Sequence, residues 1–102
     1  MNKRLTMLES LTSSGQADAF GWYGLAMEYR REKRFEDALA AFEKLRELHP
    51  DYLAMYLMAG QLLLEKSRGS DARVWLEQGL ELATKQGNTQ AVGELEDALS
   101  EC

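Results

Sequence analysis

Catalytic chemistry needs a nucleophile, a proton carrier or a set of metal-ligating groups, and few residues of this sequence could supply one. The one histidine, His49, stands before Pro50 with no acid, base or metal-binding side chain spaced to work with it. At the end of a helix it serves as a terminal charge or hydrogen-bond donor. The one cysteine, Cys102, is expected at the surface, and a single thiol can build neither an internal disulfide nor a thiolate metal cluster. Acidic residues gather at Glu94, Glu96, Asp97 and Glu101, but they lack the alternating oxygen spacing and turn glycine of a calcium loop and predict a solvated helix face. The stretch "GQADAFG" has too few glycines, and no preceding strand, to cradle a phosphate. No nucleophile elbow, phosphate loop or paired-histidine metal motif occurs. The expectation is a chain without catalytic residues, metal site or cofactor, and not an enzyme.

What remains is surface that binds. With 12 Lys and Arg against 17 Asp and Glu, the net charge of -5 disfavours a nucleic-acid partner, whose affinity rests on neutralised phosphates. The opening "MNKRLTMLES" starts like a signal peptide, yet Glu9 interrupts its apolar run. No apolar run approaches the roughly 18 residues that span a membrane. These features predict a cytoplasmic protein without membrane insertion. At 102 residues, 45% hydrophobic and 28% charged, the chain is expected to form a single globular domain over 1–102.

The strongest concentration of apolar surface is "FGWYGLAMEY", Phe20 to Tyr29. At about 100° per residue, Trp22, Leu25, Ala26 and Tyr29 share one side of a helix, while Phe20, Tyr23, Gly24, Met27 and Arg31 fall on the other. One helix thus carries two apolar faces. The first belongs to a core, and the second needs another explanation.

The elements that position these faces follow from a repeat. Trp22 and Tyr56 are 34 residues apart, as are Ala26 and Gly60, Tyr29 and Leu63, Ala38 and Ala72, and Phe42 and Leu76. Large residues recur with large ones, and small with small. Small residues suit helix crossings, where a bulkier side chain would hold the backbones apart. The order W-x2-L-A-x2-Y, then A-x3-F, then P, at Trp22, Leu25, Ala26, Tyr29, Ala38, Phe42 and Pro50, resembles the tetratricopeptide repeat. A first unit spans 19–52, with Leu45 where a small residue is usual. A second, 53–86, keeps Tyr56, Gly60, Ala72 and Leu76, but carries Ala59, Leu63 and Thr84 at three diagnostic places. Leu8 and Leu11 lie 34 before Phe42 and Leu45, which makes 2–14 the second helix of a half repeat stopped by Gly15. With a two-residue slip, Val92, Leu95 and Leu99 extend the pattern into a closing helix over 88–101.

The resemblance implies an all-α, right-handed α-solenoid of about six antiparallel helices, at 2–14, 18–32, 35–48, 52–66, 70–85 and 88–101. Pro50 ends the third helix, Asp51 is expected to cap the fourth and Ser70 the fifth. Arg30, Arg31, Lys33 and Arg34 form a solvated cationic end to the second.

Members of this family bind proteins in a concave groove lined by the outer side of each first helix. Carried to this chain, the groove holds Phe20, Tyr23, Gly24, Met27 and Arg31, and then, on the fourth helix, Ala54, Leu57, Met58, Gln61 and Glu65. Gly24 is expected to open a notch between Tyr23 and Met27. Such a face suits an apolar peptide or amphipathic helix, the expected partner. Two alternatives stay open: a homodimer using the same face or the last helix, and cover by the chain's own helices. The two-carboxylate clamp with which some relatives grip chaperone tails is not expected, because Tyr23, Met27 and Met58 stand in its places and cannot donate to a carboxylate as its lysine, asparagine and arginine do.

Overall fold

A computed structural model describes residues 2–102. Within them the chain forms six helices: α1 (Lys3–Ser13), α2 (Ala19–Arg31), α3 (Phe35–Leu48), α4 (Ala54–Glu65), α5 (Gly69–Gln86) and α6 (Thr89–Leu99). They fall into two compact units, Met1–Pro50 and Asp51–Cys102. Each predicted helix is present, with ends that differ from expectation by less than a turn.

Side-chain caps open three of the helices. Asn2 accepts from the Leu5 amide at 3.0 Å, Asp18 from Gly21 at 2.9 Å and Asn88 from Ala91 at 3.0 Å, each satisfying a donor that has no partner inside its own helix. Gly15 stops the first helix as expected. Its φ of +78° is the left-handed conformation in which glycine carries no Cβ penalty, and Gln16 N–H then reaches back to the Leu11 carbonyl at 3.1 Å.

Two expected caps are corrected. Asp51 lies in the turn before α4, whose cap position is Leu53 with no side-chain cap. The amides of Met55 and Tyr56 instead donate to the Tyr52 and Leu53 carbonyls at 3.3 and 3.2 Å, so a tightened backbone turn takes over the capping role. Ser70 sits inside α5, which begins at Gly69 with Arg68 before it. The Arg68 guanidinium grips Asp71 of the first turn at 2.7 Å.

In the first unit, α2 packs against both α1 and α3. Ala26 and Ala38 are fully buried at the α2–α3 crossing, beside Leu25, Phe42 and Leu45. Trp22 and Tyr29 of the expected core face are half-buried. In the second unit, α5 packs against α4 and α6. Gly60 makes room there: a Cβ on it would stand 2.4 Å from Leu76 Cδ2, so the fully buried Leu76 would have to shift. Gly79 is tighter in kind, since its Cβ would meet the Tyr56 Cβ at 2.6 Å. That atom moves only with the α4 backbone.

The period of 34 recurs in backbone detail. Lys33 and Ser67 adopt left-handed φ values of 61° and 58° after α2 and α4. The following amides, Arg34 and Arg68, both bond back at 2.9 Å, to Tyr29 and Leu63 carbonyls. Arg34 Nε then reaches Asp37 at 2.8 Å, and Arg68 Nε reaches Asp71 at 2.9 Å. The cationic end of α2 is therefore partly a turn device: Arg34 also covers the Tyr29 ring at 4.7 Å, and Asp37 raises the pKa of its guanidinium.

Candidate functional site

The outer face of α2 is built by four residues at helical spacing, Phe20, Tyr23, Met27 and Arg31, which share about 80° of arc. Phe20 is 68% exposed, the most exposed large apolar side chain among the described residues. Tyr23 and Met27 are half-buried, and Arg31 is exposed. Neighbouring helices flank this strip on both edges. Toward α3, the Tyr23 ring meets Phe42 edge-on, with centroids 6.3 Å apart, and the contact fixes its orientation. Toward α1, Gly24 faces Leu8, whose methyls lie 3.6 and 3.8 Å from where a glycine Cβ would stand.

At about 100° per residue, position 24 falls on the edge of the strip, where a Cβ would rest in ordinary van der Waals contact with Leu8 of α1. Gly24 is half-buried, so it borders α1 on one side and the open strip on the other.

The edge facing α1 also carries a polar cluster that the sequence reading did not identify. Glu28 follows Gly24 by one turn and is buried, with a side chain only 9% exposed. Its Oε2 accepts from Asn2 Nδ2 at 2.9 Å, and its Oε1 faces Arg4 Nε at 3.2 Å and Arg31 at 4.0 Å. A buried carboxylate persists only with partners of this kind. At the next residue, Tyr29 donates its hydroxyl proton to Glu9 Oε2 at 2.6 Å. Burial, reinforced by that hydrogen bond and the Glu9 charge, pushes the Tyr29 phenol up to about 12. Leu5, Leu8 and Thr12 complete the α1 contact surface, with the Thr12 hydroxyl bonded back to the Leu8 carbonyl at 2.9 Å. The available signal was the spacing of Gly24 and Glu28 on one line of α2.

In the second unit, Ala54 is exposed at the start of α4, Leu57, Met58 and Gln61 are half-buried, and Glu65 is exposed at its end. Gln61 and Glu65 line a shallow depression with Leu64 and with Glu101 beyond α6. Its rim holds two carboxylates and no cation. Among the described residues no group of three or more His, Cys, Asp or Glu is arranged to hold a metal, and no helix is long and apolar enough to cross a membrane. Cys102 is exposed.

Comparison with known proteins bears on this arrangement. The family model described as tetratricopeptide repeat matches residues 29–95. A tetratricopeptide repeat domain protein from Salinibacter ruber is similar in its solution structure, with 37% identity over 82% of this chain and 85% of that one and a TM-score of 0.77. Its crystal form agrees, at 37% identity over 82% and 94% with a TM-score of 0.76. A Bordetella parapertussis protein solved in solution is 25% identical, covers 98% of this chain and 87% of its own, and has a TM-score of 0.81. No curated protein matches the chain.

Proposed function

The chain belongs to the tetratricopeptide repeat family, and from that premise we propose that it is a non-catalytic module that binds a polypeptide through the outer face of α2. Domains of this family generally mediate protein–protein interaction. The observation that carries the choice of surface is Phe20, an aromatic ring left two-thirds exposed on the face where Tyr23 and Met27 are also only half-buried. An isolated exposed leucine is ordinary, but an aromatic continuous with a methionine and a fixed tyrosine is a binding surface in composition. Met27 adapts to irregular side chains, while Tyr23, held against Phe42, supplies a rigid wall. A partner therefore meets a preformed strip and loses little free energy to ordering it. The outer α4 residues Ala54, Leu57, Met58, Gln61 and Glu65 supply the second surface. Affinity of order micromolar suits contacts of this size.

Peptide display against the whole chain tests the proposal, with Phe20→Ser as counter-target. Because Phe20 is exposed, the substitution leaves the fold intact, which circular dichroism checks. Selected peptides are expected to carry bulky apolar residues and to lose at least tenfold in affinity for Phe20→Ser. Binders indifferent to Phe20 place recognition elsewhere.

A further inference from the structure

At the end of the α2 strip, Asn2, Lys3, Arg4, Glu28, Arg31 and Glu32 line an open pocket of about 600 Å³. We propose that this pocket receives a carboxylate of the polypeptide partner, so that the segment bound on α2 is apolar along its length and acidic at the end that reaches Arg31. The inference rests on the reading of α2 as a binding face and adds the partner's charge and direction to it.

The two carboxylates of the lining, Glu28 and Glu32, differ in how far they are already engaged. Glu28 is turned inward and spent: Asn2 occupies one oxygen, and Arg4 and Arg31 face the other. Its work is to aim the cations. Arg4 uses Nε on Glu28, which leaves its terminal nitrogens uncommitted to that bond, and its side chain is 62% exposed. Arg31 reaches Glu28 only at 4.0 Å and is 79% exposed, so its donors are nearly all available. Lys3 is exposed on the same wall. Guanidinium groups offer paired donors that match the two oxygens of a carboxylate. The first turn of α1 lines the same wall, so the positive end of its helix dipole lies beside the pocket. Against these stands Glu32, the residue that ends α2.

Three cations against two carboxylates leave the pocket net positive on a chain whose overall charge is -5. A peptide carboxylate adds the missing negative charge beside Arg31, one turn beyond Met27. An anchor on Phe20 and Met27 and an acid at Arg31 then lie along one line of helix about 16 Å long, the reach of roughly five extended residues.

The test uses the full chain, labelled with nitrogen-15 and titrated with acetyl-Gly-Glu-Glu-Gly-amide, which has no apolar anchor. Shifts are expected at Lys3, Arg4 and Arg31, with a dissociation constant of about a millimolar. The glutamine counterpart of the peptide is expected to produce none. Lys3→Gln and Arg31→Gln each weaken binding about fivefold, and Glu32→Gln strengthens it about twofold. Phe20→Ser leaves this titration unchanged, so loss of the pocket and loss of the apolar strip are distinguishable. No shifts at these residues, equal shifts with the glutamine peptide, or indifference to both cation substitutions overturns the pocket. Tighter binding of inorganic phosphate than of the peptide at the same residues overturns its assignment to a carboxylate.

Discussion

The two units solve one packing problem with opposite distributions of side-chain volume. At places 34 apart, the first unit has Trp22, Ala41 and Leu45, and the second has Tyr56, Trp75 and Gly79. In the second, Tyr56 is buried against the Trp75 ring with centroids 6.1 Å apart, and the space comes from Gly79, where even a methyl group would collide with Tyr56. In the first, Leu45 is fully buried where the second unit has nothing, Ala41 is small where it has Trp75, and Trp22 is only half-buried. Volume is conserved over the set, not at each position. The third helix differs as well. In the first unit α1 adds polar ties to α2, Glu28 and the Tyr29–Glu9 bond, to its buried Leu5 and Leu8, whereas in the second α6 buries Leu95 and Ala98. The unit with the polar tie is also the one whose outer strip exposes Phe20.

Exchanging the volumes breaks the comparison most severely. Leu45→Gly leaves a cavity at a site with no solvent exposure and adds a helix-interior glycine, at a cost of about 4 kcal/mol in chemical denaturation. Gly79→Ala forces α4 and α5 apart at Tyr56 and is expected to cost about 3 kcal/mol, despite adding only one carbon and a better helix former. A stabilising effect there would remove the idea that glycine makes room for the Tyr56–Trp75 pair.

A smaller effect separates the polar tie from the apolar one. Below pH 10 the Tyr29 phenol is protonated in both folded and unfolded chains, and its hydrogen bond to Glu9 contributes fully. Between 10 and about 12 the unfolded chain releases its proton first, so the contribution falls as pH rises. Hydrogen exchange at pH 11 is expected to show α1 opening more readily than α6. In Tyr29→Phe, which has no proton to lose, the added α1 opening between pH 9 and 11 should vanish. Equal alkaline response of both variants would separate the loss from this phenol.

The smallest effect concerns what the units share. Ser67→Gly and Lys33→Gly each relieve a left-handed residue, and each is expected to stabilise by about 1 kcal/mol, or roughly 5 °C in melting temperature. Unequal responses would show that the two turns are alike in backbone only.

Most of the fold was legible because helix crossings impose size. Ala26, Ala38, Gly60 and Ala72 recur at a fixed period since nothing larger fits where backbones approach, and that rule leaves a mark in one sequence. The missed caps had a different cause. Asp51 and Ser70 have capping side chains, but the chain closes those turns with backbone carbonyls and the Arg68–Asp71 pair, which composition does not reveal. The recurrence of the Arg34–Asp37 pair as Arg68–Asp71, 34 residues on, is the one sign of this turn that the sequence carries. Glu28 was hidden because a charged helix residue is ordinarily solvated; here Asn2, the cap of α1, and Arg4 in its first turn meet the buried carboxylate. Phe20, Tyr23 and Met27 followed from helical periodicity alone. Gly24 lay on the boundary between two faces, where periodicity decides least.

The most direct test of the account is the solution mass of the wild type and of Phe20→Ser, measured by light scattering up to about 100 μM, a range that would reveal a micromolar dimer. A surface kept open for a foreign polypeptide predicts monomers in both. A wild-type dimer that Phe20→Ser converts to a folded monomer would contradict it, because the strip on α2 would then be consumed by a second copy of the chain.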